Sequence, residues 1–392
     1  MTGIDKLEQR HIRAYNAALA TCGHRNDVTA IDIGYRWEAN RPTDEIAIRL
    51  HVRRKRLPEA LGPGERLPRA ILGVPVDIYE GSYRTQRDTR GRRPVRRFDP
   101  MMAGIPVGSA RGGAGRIAAF VADRATGRIG LLSNWHVLIG PYGQAGDGCV
   151  QPGAIHGGVG PRDRVAQVGP SLLDRDGDAA VAWLTGERGW RPHIHGAEVV
   201  PVAARRARLG EVLRKSCPAS GPCMARVDGI GTYFLQYETA PGKTRRIGVE
   251  GFKLIALDPA DAGTEVSVSG DSGTLWYDAS ARAAVGLHFG GEVSPDPRQQ
   301  HAIACHVETV LERLDVRLAG RSDMKVAKIA RTHRHGWLEA LAEAIQGDLG
   351  DLGEPACTPD RTRNQGSAEL PPPLPNRPGH APHAPARPLR LH

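Results

Sequence analysis

Three short strings bring together the residue types that turn a hydroxyl into a nucleophile. "VSGDSGTLWYD", residues 268–278, sets Asp271 and Ser272 between two glycines, ahead of an apolar, strand-like run. Taken alone, Gly-Asp-Ser-Gly is also what a surface turn prefers. A serine becomes reactive only when a histidine can take its proton and a buried carboxylate orients that histidine and stabilises its charged form. "LLSNWHVL" offers His136 at the end of an apolar strand, and "DGDAAVAWL" offers Asp178 where a loop enters an alternating strand. Asp174 and Asp176 lie just before it as competing acids. Asp178 is preferred because the strand begins at the next residue, which lets the carboxylate face inward.

The elements that must position these residues are mostly strands. The 392 residues allow two or three ordinary domains, and 48 glycines with 30 prolines favour short strands and many turns over a helical bundle. From about 100 to 320 the text runs strand, turn, strand: "GRIAAFVAD", "GRIGLLSNWHVLI", "DAAVAWLT", "MARVDGIGTYFLQY", "RRIGVEGFKLIA", "AAVGLHFGGEV". That rhythm predicts a barrel or sandwich. Upstream, residues 4–20 carry helical apolar spacing, and "VTAIDIGYRW" and "DEIAIRLHVRRK" alternate as half-buried strands do. A small α+β unit is therefore expected over 1–82, followed by an arginine-rich linker at 83–99. "VETVLERLDV", 307–316, reads as a closing helix, and a helical segment is expected within 321–353. The Pro-rich stretch 354–392 lacks apolar periodicity and is expected to be disordered.

The chain order His136, Asp178, Ser272 on an all-β background resembles the trypsin-like (chymotrypsin-fold) serine peptidases. The resemblance covers roughly residues 100–320. It implies a mainly β fold of two packed antiparallel barrels, and a serine endopeptidase working on protein or peptide through an acyl-enzyme. It also implies that the N–H groups of Gly270 and Ser272 form an oxyanion hole, and that Phe289, Gly290 and Gly291 of the strand "VGLHFGG" wall the substrate pocket. The pocket floor would come from Thr264 to Val266, where Glu265 would favour Lys or Arg. Asp271 resembles the family acid that pairs with an amine freed by zymogen cleavage; no activation site is evident, so another partner is required. His288 follows Ser272 and so breaks the order expected of a base; it reads as a wall residue. A closer likeness rests on "VRRKR", "LGVPVDIYEG", "LLSNWHVL" and "LRKSCPASGPCMARVDGI". These strings resemble a bacterial branch without signal peptides, related to plant narrow-leaf type proteins. The chain departs from the family where Trp135 replaces a small residue, where Val137 rather than a cysteine directly follows His136, and where "CPASGPC" has lost the branch's Gly-Arg-Thr-Thr pattern.

Other features bound the reading. The formal charge is +10, and "RTQRDTRGRRPVRR" holds seven arginines between Arg84 and Arg97. That segment could grip phosphates, but it lacks the interleaved aromatics that stack on bases. Nucleic-acid binding there is one rival reading, and a catalytically silent scaffold for protein binding is another. The three chemistry-bearing residues and both glycines argue against the second. The charged N-terminus lacks a signal core, and no window approaches the roughly 20 apolar residues of a membrane span. A cytoplasmic, reducing location is expected, with Cys217 and Cys223 as free thiols or, less simply, a loop disulfide. His193 and His195 lack a third ligand nearby, and His380 and His383 fall in the tail expected to be unstructured, so no metal or other cofactor is expected.

Overall fold

Strand-forming sequence dominates, and the strands assemble into two large, mostly antiparallel sheets. The computed structural model describes residues 8–39, 41–62, 64–86, 96–111, 113–218, 220–257, 266–293 and 301–324. All of these fall in the first of two units, residues 1–335. The expected helix at 326–346 and the Pro-rich tail lie outside the described residues.

The first sheet has eight strands. Its centre is Ile129–Ser133, paired on one side with Ala119–Asp123 and on the other with Gly177–Leu184. Period-two alternation sorts the side chains: Leu131, Ala180 and Ala182 enter a core inside this sheet. Leu132, Ala179 and Val181 instead join a core shared with the second sheet. That shared core also takes in Leu235, Leu287 and Phe289, so it lies between the two sheets.

The second sheet contains a closed ring of six antiparallel strands. Val212–Cys217, Leu275–Asp278, Ala283–Glu292, Ala302–His306, Lys243–Ala256 and Gly221–Ala240 pair in that order, and the last pairs back onto the first. Leu213, Val227, Phe252, Leu254, Trp276 and Val285 fill its interior. The expected mainly β, double-barrel class is thus present. The first sheet has eight strands rather than six; at one end Val316–Leu318, beyond the helix Val307–Arg313, adds to Ala119–Asp123.

The N-terminal residues are attached differently from a unit standing apart. The helix Gln9–Cys22 lays Ala14, Ala18 and Cys22 against Ile31, Ile48 and Leu50 of the strands Val28–Glu38 and Arg41–Val52. Val28–Glu38 then pairs with Gly221–Ala240, from Ala30↔Tyr233 to Gly34↔Gly229, so its sheet is continuous with the second barrel. A buried charge network spans the junction. Arg49 donates to both oxygens of Asp32 at 2.7 Å and to Asp228 at 2.6 Å, and Lys253 lies 2.9 Å from Asp228. All four side chains are fully buried. Two carboxylates facing two cations leave no net buried charge, the condition under which such a cluster is tolerated.

Candidate active site

The strand Ile129–Ser133 ends in a single helical turn, Trp135–Leu138, and His136 sits in that turn rather than on the strand itself. Asn134 precedes the turn, fully buried, and its side-chain amide donates to the Asp178 carbonyl at 2.8 Å. Asp178, on Gly177–Leu184, thus reaches the histidine from the adjacent strand. Its Oδ1 accepts the His136 backbone N–H at 3.2 Å, and its Oδ2 pairs with His136 Nδ1. Oδ2 also accepts the Tyr237 hydroxyl at 3.0 Å. On the other side of the ring, His136 Nε2 lies 2.8 Å from Ser272 Oγ. Asp178 and Ser272 are fully buried and His136 nearly so.

The competing acids lie elsewhere. Asp174 and Asp176 are partly exposed and both pair with Arg313. Trp135 is half-buried. His193 contacts Arg321 at 3.3 Å, and among the described residues no group of three metal-ligating side chains occurs. Cys217 and Cys223 are free thiols. Most of the arginine-rich segment and Glu265 lie outside the described residues.

The Gly-Asp-Ser-Gly loop is held from both sheets. Gly270 and Gly273 adopt φ of 98° and 89°, a region that glycine enters without steric cost. Arg116 N–H donates to the Ser272 carbonyl at 2.7 Å across the sheet interface. Asp271 turns away from the serine into the second barrel, where it pairs with the Lys215 ammonium and accepts from Cys217 Sγ at 3.1 Å and Val268 N–H at 3.1 Å. Burial alone would raise the Asp271 carboxyl, but the ammonium, with help from His288, outweighs it and holds the group at about 2. Lys215 is therefore the partner that Asp271 requires. It lies in "LRKSC", a string that invited no role from its residue types alone.

The substrate-wall residues divide. Phe289 is buried in the inter-sheet core, and only its carbonyl, 3.5 Å from Ser272 Oγ, faces the site. Gly290 and Gly291 lie at the end of Ala283–Glu292 that pairs with Tyr83–Thr85, beside the serine. His288 is fully buried behind Ser272, and burial together with Lys215 pushes it down to about 3, so its ring is neutral.

No protein-family description matches the chain, and no characterised protein is detectably similar to it in sequence. Solved structures overlap part of it. The Nocardiopsis protease NAPase is 16% identical, with 56% of this chain and 98% of that chain covered at a TM-score of 0.40. Thermobifida fusca Protease A is 16% identical, covering 56% and 99% at 0.41. Cellulomonas bogoriensis chymotrypsin is 15% identical, covering 57% and 99% at 0.40. The chain is similar to these proteases over little more than half its length. The described residues contain no helix long and apolar enough to cross a membrane.

Proposed function

We propose that the chain is a serine endopeptidase with Ser272 as nucleophile, His136 as general base and acid, and Asp178 as the group that orients the imidazole. The observation carrying this reading is the unbroken line from Asp178 through both nitrogens of His136 to Ser272 Oγ. In the first step Ser272 Oγ attacks the peptide carbonyl carbon and His136 takes its proton. His136 then gives that proton to the departing amine, leaving an acyl-serine that water hydrolyses by the reverse relay. The amides of Gly270 and Ser272 would meet the developing oxyanion, with the Lys215–Asp271 pair holding their loop in shape. Peptide or protein is the substrate class.

Prolonged reaction with a fluorophosphonate probe tests the reading. Peptide mapping should find the label on Ser272 alone, and Ser272→Ala and His136→Ala should abolish it. A label on any other serine removes the proposal.

A further inference from the structure

The cleft beside Ser272 is filled by the chain's own backbone. The strand Tyr83–Thr85 pairs antiparallel with the end of Ala283–Glu292, with Glu292↔Tyr83, Gly291↔Arg84 and Gly290↔Thr85 in register. The pairing is extended upstream by Val293 N–H to the Ser82 carbonyl at 2.7 Å. Next along the chain, Gln86 meets the nucleophile: its N–H lies 3.1 Å from Ser272 Oγ, and its carbonyl accepts the Gly270 N–H. An extended segment added to a sheet edge, with a carbonyl directed at an amide beside a reactive serine, is how the acyl side of a peptide would be held.

We propose that Tyr83–Gln86 occupies the cleft as an intramolecular acyl-side ligand, and that the peptides this site prefers carry glutamine immediately before the scissile bond. The inference rests on the serine endopeptidase reading above and names its substrate class and its restraint.

Three features fit a glutamine side chain. Gln86 Oε1 lies 2.8 Å from His288 Nε2, while the Trp276 indole N–H points at His288 Nδ1 from 3.4 Å. An indole N–H can only donate, so Nδ1 is the acceptor and the proton sits on Nε2, where it faces the amide oxygen. The ring is neutral, so a carboxylate in place of the amide would be buried without a counter-charge, and a lysine or arginine would set a cation against a donor. The glycines complete the fit: a Cβ at Gly290 would stand 2.5 Å from the Arg84 carbonyl oxygen, and one at Gly291 would overlap the Gln86 amide nitrogen.

The segment is also tethered. Tyr83 is buried, with its hydroxyl 2.7 Å from His51 Nδ1, and His51 Nε2 in turn lies 3.2 Å from Asp32 of the buried charge network. A ligand held in the same chain competes at high effective concentration, so a peptide in solution meets an occupied cleft.

Gln86→Arg in the full chain tests this, because the longer cation loses the His288 contact and releases the segment. Fluorophosphonate labelling of Ser272 should be slow in the wild type and at least tenfold faster in Gln86→Arg. The released protein should hydrolyse acetyl-Tyr-Arg-Thr-Gln-aminomethylcoumarin at least tenfold faster than the same peptides ending in Glu, Ala or Arg. His288→Ala in the released background should erase the advantage of Gln over Ala while Ser272 still labels. Equal labelling of wild type and Gln86→Arg, or labelling without a preference for Gln, overturns the inference and leaves the hydrolase reading standing. Labelling in neither protein removes both.

Discussion

The Lys215 ammonium is buried against the Asp271 carboxylate, one residue before Ser272. The pair supplies internally what a loop carrying a buried acid needs in order to keep its backbone turned. Lys215→Met leaves that acid without its cation, a change that typically costs about 3–5 kcal/mol. The loop amides should lose their aim, with a loss of roughly 10²- to 10³-fold in the rate of Ser272 acylation. Adding Asp271→Asn should restore part of the stability, measured by urea unfolding, without restoring the rate. An unchanged rate in Lys215→Met would show that the pair does not shape the loop.

Asp178→Asn should leave the fold intact and reduce turnover by about 10⁴, because an amide favours the wrong imidazole tautomer. Asp174→Asn and Asp176→Asn should change turnover less than twofold, since both face Arg313 near the surface, where such pairs contribute roughly 0–1 kcal/mol. Steady-state rates of the three variants decide among the acids. If Asp176→Asn were the damaging change, the assignment of Asp178 would be wrong.

Arg49 bridges Asp32 and Asp228 with no exposure to water. Arg49→Met would bury two carboxylates opposite one lysine, and should destabilise the chain by about 3–5 kcal/mol. Arg49→Lys should recover little of this, because an ammonium lacks the planar fork that serves both acids. Chemical denaturation of the three proteins measures it. A loss under about 1 kcal/mol in Arg49→Met would mean that the network does not bind the N-terminal strands to the barrel.

His288 and His306 are both buried and pushed down to about 3, chiefly by desolvation. The unfolded chain takes up these protons near pH 6.5, whereas the folded chain resists them until about pH 3, so unfolding is favoured as pH falls through that window. Asp271, held at about 2, adds a smaller loss below about pH 4. Urea midpoints should therefore drop steadily from pH 6.5 towards pH 4. His306→Gln should flatten the slope, and a slope unchanged by that substitution would count against a neutral buried His306.

Local sequence carried a large part of this outcome. Alternation of apolar residues marks strands because a strand's faces repeat every second residue, as Leu131 and Leu132 illustrate by entering different cores. Gly-Asp-Ser-Gly marked a loop that needs glycine at Gly270 and Gly273, since backbone sterics act within a residue or two. The residues that complete the site leave no such local signature. Tyr237, Lys215 and Gln86 reach Asp178, Asp271 and Ser272 across 59, 56 and 186 positions of sequence. Their residue types are ordinary, and only the closure of the second barrel and the pairing of Tyr83–Thr85 with the end of Ala283–Glu292 bring them there. The attachment of the N-terminal strands has the same origin. Asp32 and Arg49 read as charges on alternating strands, and only the tertiary structure surrounds them with Asp228 and Lys253, because burial and charge balance are properties of the assembled sheets.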